Sequence, residues 1–494
     1  MSAGDATPTA PGAVGPGERI VVVGAGMAAT RLVEGLVARG LGPRVTVLGD
    51  EAHAPYNRIL LSAVLEGSHS DRELTLRRPE WFAEHGVDLR LGARVLGVDR
   101  ERRDVMLVDG TLVGWDRLVL ATGAIPTLPP IRGLVTPDGQ LAERVHPFRS
   151  VADARRLGAA LDRIGPHGRA VVVGGGLLGL QVARALAVRG RTVEVVEGGE
   201  HLLRAQLGEQ AGQVLARELR RLGTDVYTGV RAVRLRGDRL VLDNGHELST
   251  DLVVLTAGGR PSTALARGAG LSVRRGIVVD DRLASPDDPR VHAIGDCAQH
   301  NGRVTGFVGP AWEQAEVLAG LLAGGAERYT GSRNVARLRA SDLEVAVLGD
   351  PEQTDGQVVE VCNPVARTHR KLVVRHGVVV AAALVGDVTH VGLITQHYDR
   401  GTVLGAQEPA ALLLPPRTTA PTQLHDDTEI CSCAGVSAGR IRACSSLEQV
   451  VTSTRATTGC GGCSAAVRQL LASRTTTAAA TPAAPATADE RAPR

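Results

Sequence analysis

The chain has 494 residues, 43 % apolar and 22 % charged, the balance of a water-soluble protein long enough for three or four domains. Lys and Arg number 56 against 53 Asp and Glu, a net charge of +3, and aromatic residues make up 2 %. That excludes a basic nucleic-acid footprint, a base-stacking platform and a polybasic membrane surface as the basis of function. Residues 1–17 are rich in Ala, Gly, Pro and Thr, lack the basic start and apolar core of a secretory leader, and are expected to be disordered. No run of about eighteen apolar residues occurs, so no spanning helix is predicted and the cytoplasm is the expected location.

Ile20-Val-Val-Val23 reads as a buried strand. It runs into Gly24-Ala-Gly26-Met-Ala-Ala29, a helical stretch, the strand Arg44–Leu48 and the acids Asp50 and Glu51. Strand, glycine turn, helix, strand and terminal carboxylate is a dinucleotide-binding pattern. Gly24 permits the tight turn, and Gly26 lets backbone approach a pyrophosphate at the helix N-terminus. Ala29 is small enough for helix–strand packing, and Asp50 or Glu51 can hold ribose hydroxyls. In the loop that follows, Pro55-Tyr56-Asn57-Arg58, Arg58 can reach a phosphate or a flavin ring; the plainer reading is a solvated arginine.

Short alternating strands are predicted at Val87–Leu91, Val95–Asp99, Val105–Val108 and Trp115–Leu120. The last ends in Ala121-Thr122-Gly123, where glycine again allows close backbone approach. A second fingerprint follows: Ala170–Val173, then Gly174-Gly-Gly176-Leu-Leu-Gly179, a helix, and Thr192–Val196 closing on Glu197. Two such units imply two different dinucleotides. A carboxylate at Glu197 accepts from a free ribose 2′-OH and repels a 2′-phosphate, so NADH is favoured over NADPH, although Arg204 lies near enough in sequence to serve a phosphate. Asp251–Leu255 leads to the turn at Gly258. Gly276–Asp280 and Val291–Ala298 are expected to return to the first unit. Asp296, after Gly295, can hold a polyol chain or cap a helix. A helix carrying Trp312 follows, its first turn marked by Pro310.

Residues 331–414 read as a small α/β unit with a hairpin at Lys371–Val380, a helix at Val391–Arg400 and no chemistry of its own. A linker is expected over 415–428. None of the seven cysteines precedes Cys297, and five fall between 431 and 463. Cys431-Ser-Cys433 and Cys460-Gly-Gly-Cys463 can hold a small iron–sulfur cluster, with structural zinc the competing metal. An upstream flavin favours iron–sulfur, because a one-electron carrier then has a task. Cys297, Cys362 and Cys444 read as buried small hydrophobes, and residues 474–494 as disordered.

Taken together, GAGMAA (24–29), PYNRILLS (55–62), ATGAIP (121–126), GGGLLG (174–179), TAGGRP (256–261) and AIGDCA (293–298) resemble the pyridine nucleotide–disulfide reductase superfamily. Within it they look most like ferredoxin-reductase and nitrite-reductase-like flavoproteins. The segment 429–473 resembles bacterioferritin-associated-ferredoxin-like 2Fe–2S domains. The same pairing occurs in large subunits of NADH-dependent nitrite reductase and in electron-transfer subunits of assimilatory nitrate reductase.

The resemblance implies two Rossmann-like, glutathione-reductase-like domains in an α/β chain. FAD would lie in 18–145 with 265–330, NAD(P)H in 146–264, an interface domain in 331–414 and a small helical 2Fe–2S domain at the end. It places Asp50, Glu51 and Arg58 on FAD and Asp296 on its ribityl chain. It also implies an NADH-oxidising enzyme that passes electrons to a partner protein, such as a nitrate or nitrite reductase catalytic subunit or a ferredoxin, and a possible homodimer. The rival readings are a general ferredoxin or rubredoxin reductase for a monooxygenase, and a redox sensor without turnover. Two departures are visible. No cysteine precedes 297, which rules out dithiol chemistry at the flavin. Ala63 and Gln181 stand where relatives carry a Lys–Glu pair, so both charges are missing together.

Overall fold

The computed structural model describes residues 14–340, 342–404, 409–414, 424–431, 433–459 and 461–477. The chain divides into two compact units, Met1–Pro416 and Arg417–Arg494. In the first, the apolar strand Ile20–Val23 is buried at all four positions, as a strand inside a parallel sheet must be. Its six-stranded sheet runs Ala284–Ser285, Asp288–Ala293, Arg117–Leu120, Ile20–Val23, Val45–Leu48, Asp88–Arg90. The sheet is parallel, with Val22 opposite Val47 and Val119, except at the outermost strand. The helices Met27–Ala38 and Val308–Leu322 share its core through Leu32, Leu36, Ala315 and Leu318.

The plan then repeats. Arg169–Val173 is central in five parallel strands, ordered Thr224–Thr228, Thr192–Glu197, Arg169–Val173, Leu252–Leu255, Val145–Pro147. Each half inserts an antiparallel meander before the strand that returns beside the glycine strand: Val95–Asp99, Asp104–Leu107, Leu112–Gly114 in the first, and Ala232–Arg236, Arg239–Leu242, Glu247–Ser249 in the second.

A third, antiparallel sheet is ordered Val335–Ala340, Leu343–Leu348, Val378–Val385, Thr368–Arg375, Gln357–Asn363. Its residues alternate between two cores, as period-two side chains require. Ala346, Leu348, Ala382 and Leu384 pack with Ile394 and Tyr398 of the helix Val391–Arg400. Val345, Val347, Ala383 and Val385 join the core of the second dinucleotide half.

The second unit is a short antiparallel pair, Glu429–Cys431 with Val436–Ser437, and the helices Ala438–Arg442, Leu447–Thr454 and Ser464–Thr477. Its core gathers Cys431, Val436, Ile441, Cys444, Val450, Ala456, Cys463 and Val467.

The mixed α/β class stands as expected, and several local expectations are corrected. The Trp115 strand begins only at Arg117, because Asp116 is drawn off to Arg19. Ile277–Val279 pairs with Ala298–His300 outside the main sheet, though Ile277 is buried in the first core. Of the ends expected to be disordered, Val14 is fixed by its N–H to Leu322 O, 2.9 Å, and the last helix continues to Thr477; 1–13 and 478–494 lie outside the described residues. Of the expected linker, 415–423 lie outside them too. Asp426 and Thr428 instead accept from Gly439 and Ala438 N–H at 2.8 Å. Cys297 and Cys444 are buried, but Cys362 is exposed, because its strand forms a sheet edge.

Candidate functional site

The first glycine turn is shaped by steric exclusion. Gly24 has φ +110°, and a methyl there would lie 2.2 Å from Ala121 O, so only glycine lets the two strand ends meet. Gly26 is the N-cap of the helix Met27–Ala38, which has no side-chain cap, and a methyl on it would meet nothing within 4 Å. The second turn reproduces this. Gly174 has φ +119° and its methyl would lie 2.6 Å from Thr256 O. Gly176 opens an uncapped helix, Leu177–Val188, onto free space. Gly179 is tighter than its counterpart Ala29, with a methyl 1.9 Å from Gly174 O. Two uncapped helix N-termini facing open space are what a pyrophosphate requires.

Beyond the first turn the two acids separate. Asp50 is exposed, 4.0 Å from Arg94. Glu51 accepts from Tyr56 Oη at 2.8 Å and pairs with Arg58. Arg58 covers the Tyr56 ring at 4.8 Å and donates to Arg149 O at 3.3 Å. Burial pushes the Tyr56 hydroxyl up, against the pull of Arg58. It therefore stays protonated, donating to Glu51 and accepting from Val151 N–H at 3.1 Å.

Asp296 is not a helix cap. It pairs with Arg149 Nη2 at 2.7 Å, and Arg149 Nε donates to Ala124 O at 2.8 Å. Gly295 N–H donates to Gln314 Oε1 at 2.7 Å, from the same helix that carries buried Trp312. Thr122 Oγ1 donates to Ser262 O at 2.7 Å, and Ser262 N–H to Gly123 O at 2.9 Å. Gly258 O accepts from Thr127 N–H at 3.0 Å. Ala121–Gly123 and Gly258 thus flank the joint, Ala124–Pro126 against Gly259–Pro261, between the two halves.

In the second half Glu197 turns both oxygens to backbone: Gly175 and Gly199 N–H donate at 2.6 Å each. Two guanidinium groups flank the turn after it. A methyl on Gly199 would lie 3.0 Å from Arg204 Nε, and one on Gly198 3.3 Å from Arg231 Nε.

In the cysteine unit, the thiols of Cys431 and Cys463 hydrogen-bond one another, which with burial pushes Cys431 up. Cys433 packs against the same core, and Cys460 lies outside the described residues. Among those described, no three metal-ligating side chains are gathered into a site. Thr457 N–H donates to Cys463 Sγ at 3.1 Å.

Residues 18–316 match the family model described as pyridine nucleotide-disulphide oxidoreductase. The chain belongs to that family. Residues 429–473 of this oxidoreductase match the BFD-like [2Fe-2S] binding domain. It is 32 % identical over 471 residues to a nitrite reductase [NAD(P)H] of Bacillus subtilis, covering 92 % of this chain and 57 % of that one. It is 30 % identical to the assimilatory nitrate reductase electron transfer subunit of the same organism, covering 92 % and 59 %. The chain therefore spans a little over half the length of these relatives. A ferredoxin reductase for the CYP199A2 system of Rhodopseudomonas palustris superposes with TM-score 0.70 at 27 % identity, covering 78 % of this chain and 96 % of that one.

As a family member, the oxidoreductase uses FAD and NAD(P)H, and its second unit is of a 2Fe–2S class. The paired glycine turns fit two dinucleotides, and the soft thiol donors fit iron–sulfur. Tyr56, Arg149 and Gln314 are additions to the residues foreseen. Tyr56 had a signal in its place beside Arg58; Arg149 stands 147 residues from Asp296 and had none. Among the described residues no helix is long and apolar enough to cross a membrane.

Proposed function

We propose that this chain is the NADH-oxidising electron-transfer component of a nitrate or nitrite reductase system, taking hydride at a flavin and delivering single electrons through its own cluster. FAD held in the first half would supply the conversion between two-electron and one-electron chemistry, and a 2Fe–2S cluster held by the four cysteines would supply the one-electron carrier. The observation that carries this reading is the presence, in one polypeptide, of two glycine turns opening onto uncapped helix N-termini and a unit whose core gathers Cys431 and Cys463.

The residues then have defined tasks. Gly24, Gly26 and Ala29 admit the FAD pyrophosphate, and Glu51 takes its ribose, with Tyr56 and Arg58 fixing the carboxylate. Asp296, oriented by Arg149, takes the ribityl hydroxyls. Gly174, Gly176 and Gly179 do the same for NADH, and Glu197 retains lone pairs for a free 2′-OH while its backbone bonds hold it in place. Cys431, Cys433, Cys460 and Cys463 hold the cluster. Ala63 and Gln181 leave hydride transfer without a flanking ion pair, so orientation of the two rings carries the rate. The protein works in the cytoplasm.

The R. palustris likeness favours a second reading, a general ferredoxin reductase. A chain with its own cluster unit has no need of a separate ferredoxin, which ranks that reading second. Cys460→Ser separates the alternatives: reduction of a one-electron protein acceptor should vanish while NADH still bleaches the flavin. Equal loss of both overturns the proposal, and negligible NADH–ferricyanide turnover in the wild type shows a sensor instead.

A further inference from the structure

Thr457 has φ +74°, the left-handed region that a β-branched residue suits least. Arg455, two residues earlier, is already left-handed at +60° and ends the helix Leu447–Thr454, with its N–H on Val451 O at 3.1 Å. Terminating that helix therefore needs no second reversal. Between the two, Ala456 is fully buried in the core beside Cys431 and Cys463, so the loop cannot swing outward. What the second reversal accomplishes is to turn the Thr457 N–H onto Cys463 Sγ, 3.1 Å away.

We propose that Thr457 is a positioning residue for the cluster, its left-handed backbone aiming an N–H at the Cys463 sulfur and thereby raising the cluster's reduction potential. Adding one electron to a 2Fe–2S centre adds one negative charge and moves no proton. A donor dipole held at a ligating sulfur stabilises that charge, so the reduced form gains more than the oxidised one. The left-handed turn is the conformational cost of holding the dipole in place, since strain of this kind persists only where its surroundings enforce it. The inference rests on the 2Fe–2S reading and adds the residue that tunes the centre.

The test uses the full-length, cluster-loaded protein, labelled with 15N-threonine and reduced with dithionite under anaerobic conditions. Pulsed EPR of the reduced cluster should show a 15N coupling. Thr457→Asn tolerates the left-handed backbone and keeps the amide but carries no label, so it should abolish the coupling and leave the midpoint potential in place. Replacing residue 457 with its α-hydroxy acid converts the N–H to an ester oxygen. In that protein the reduced-to-oxidised ratio at fixed ambient potential should fall about tenfold, 59 mV for one electron. A reduced-cluster signal without a threonine coupling, a coupling that survives Thr457→Asn, or an ester protein of unchanged potential each overturns the role of Thr457. Absence of any reduced-cluster signal in the wild type overturns the cluster assignment itself, and the role of Thr457 with it.

Discussion

Gly179→Ala probes the second cleft at its tightest point. The added methyl would lie 1.9 Å from Gly174 O and 2.8 Å from Thr256 Oγ1. Carbon contacts below 3.0 Å are essentially never seen, which leaves 1.1 Å to be found against Gly174. Neither oxygen yields easily. One is backbone in the turn, and the Thr256 hydroxyl is held by Val173 O and Gly174 O at 3.1 Å each. The Leu177–Val188 helix must therefore lift from its strand, at about 1–3 kcal/mol for such overpacking. Its N-terminus moves with it, and a misplacement of about 1 Å at a positioning element lowers rate by up to ~100-fold. We expect kcat/KM for NADH, measured with ferricyanide, to fall roughly 10- to 100-fold, together with a lower melting temperature. FAD content should hold, because the substitution lies in the second turn and leaves the first, where buried Ala29 occupies the equivalent place, unaltered. Wild-type kinetics with a wild-type melting temperature would refute the steric argument. Loss of FAD from the purified protein, with KM for NADH unchanged in the fraction that retains flavin, would show that the two turns have been assigned the wrong way round.

Other outcomes follow from the same geometry. Glu197→Ser leaves Arg204 and Arg231 beside the turn without the carboxylate, so the NADPH-to-NADH ratio of kcat/KM should rise about tenfold or more, given ~1–4 kcal/mol for a unit charge pair near 4 Å; an unchanged ratio would show that the ribose lies elsewhere. His292 is sealed in the first core, and burial pushes its pKa from 6.5 down to about 4. Between those values the unfolded chain binds a proton that the folded chain refuses, so stability is complete above pH 6.5 and falls on acidification, by about 3 kcal/mol in total. Urea midpoints across pH 7 to 4 should show the slope, and His292→Leu should flatten it; a slope that persists in the variant assigns it to other groups. Arg149→Leu strands the Asp296 carboxylate and should lower FAD occupancy of the purified protein; full occupancy would remove Asp296 and Arg149 from the flavin site.

The glycine turns were legible because each requirement is written locally. An apolar run, a glycine that must take positive φ, and a small residue at the helix contact all fall within a few positions of one another. Glu51 could not be told from Asp50 in this way, because beyond the end of the Val45–Leu48 strand the alternation that aims side chains no longer holds. The Arg149–Asp296 pair was hidden for a different reason: the chain passes through the whole second half between the two residues. Cys362 was misjudged because residue type reports average burial, and only the strand order reveals an edge, where Val358 and Val361 are exposed with it. In the cysteine unit the thiols announce themselves by spacing. A left-handed threonine that turns an amide toward one of them carries no mark in the sequence.

The proposed function requires a two-electron carrier and a one-electron carrier in series within this chain. Anaerobic titration of the loaded protein with NADH, followed by visible absorbance and EPR together, tests it most directly. Flavin bleaching should be accompanied by a reduced 2Fe–2S EPR signal, with electron equivalents distributed over both centres. Complete flavin reduction with iron that never gains an electron would overturn the proposed electron path.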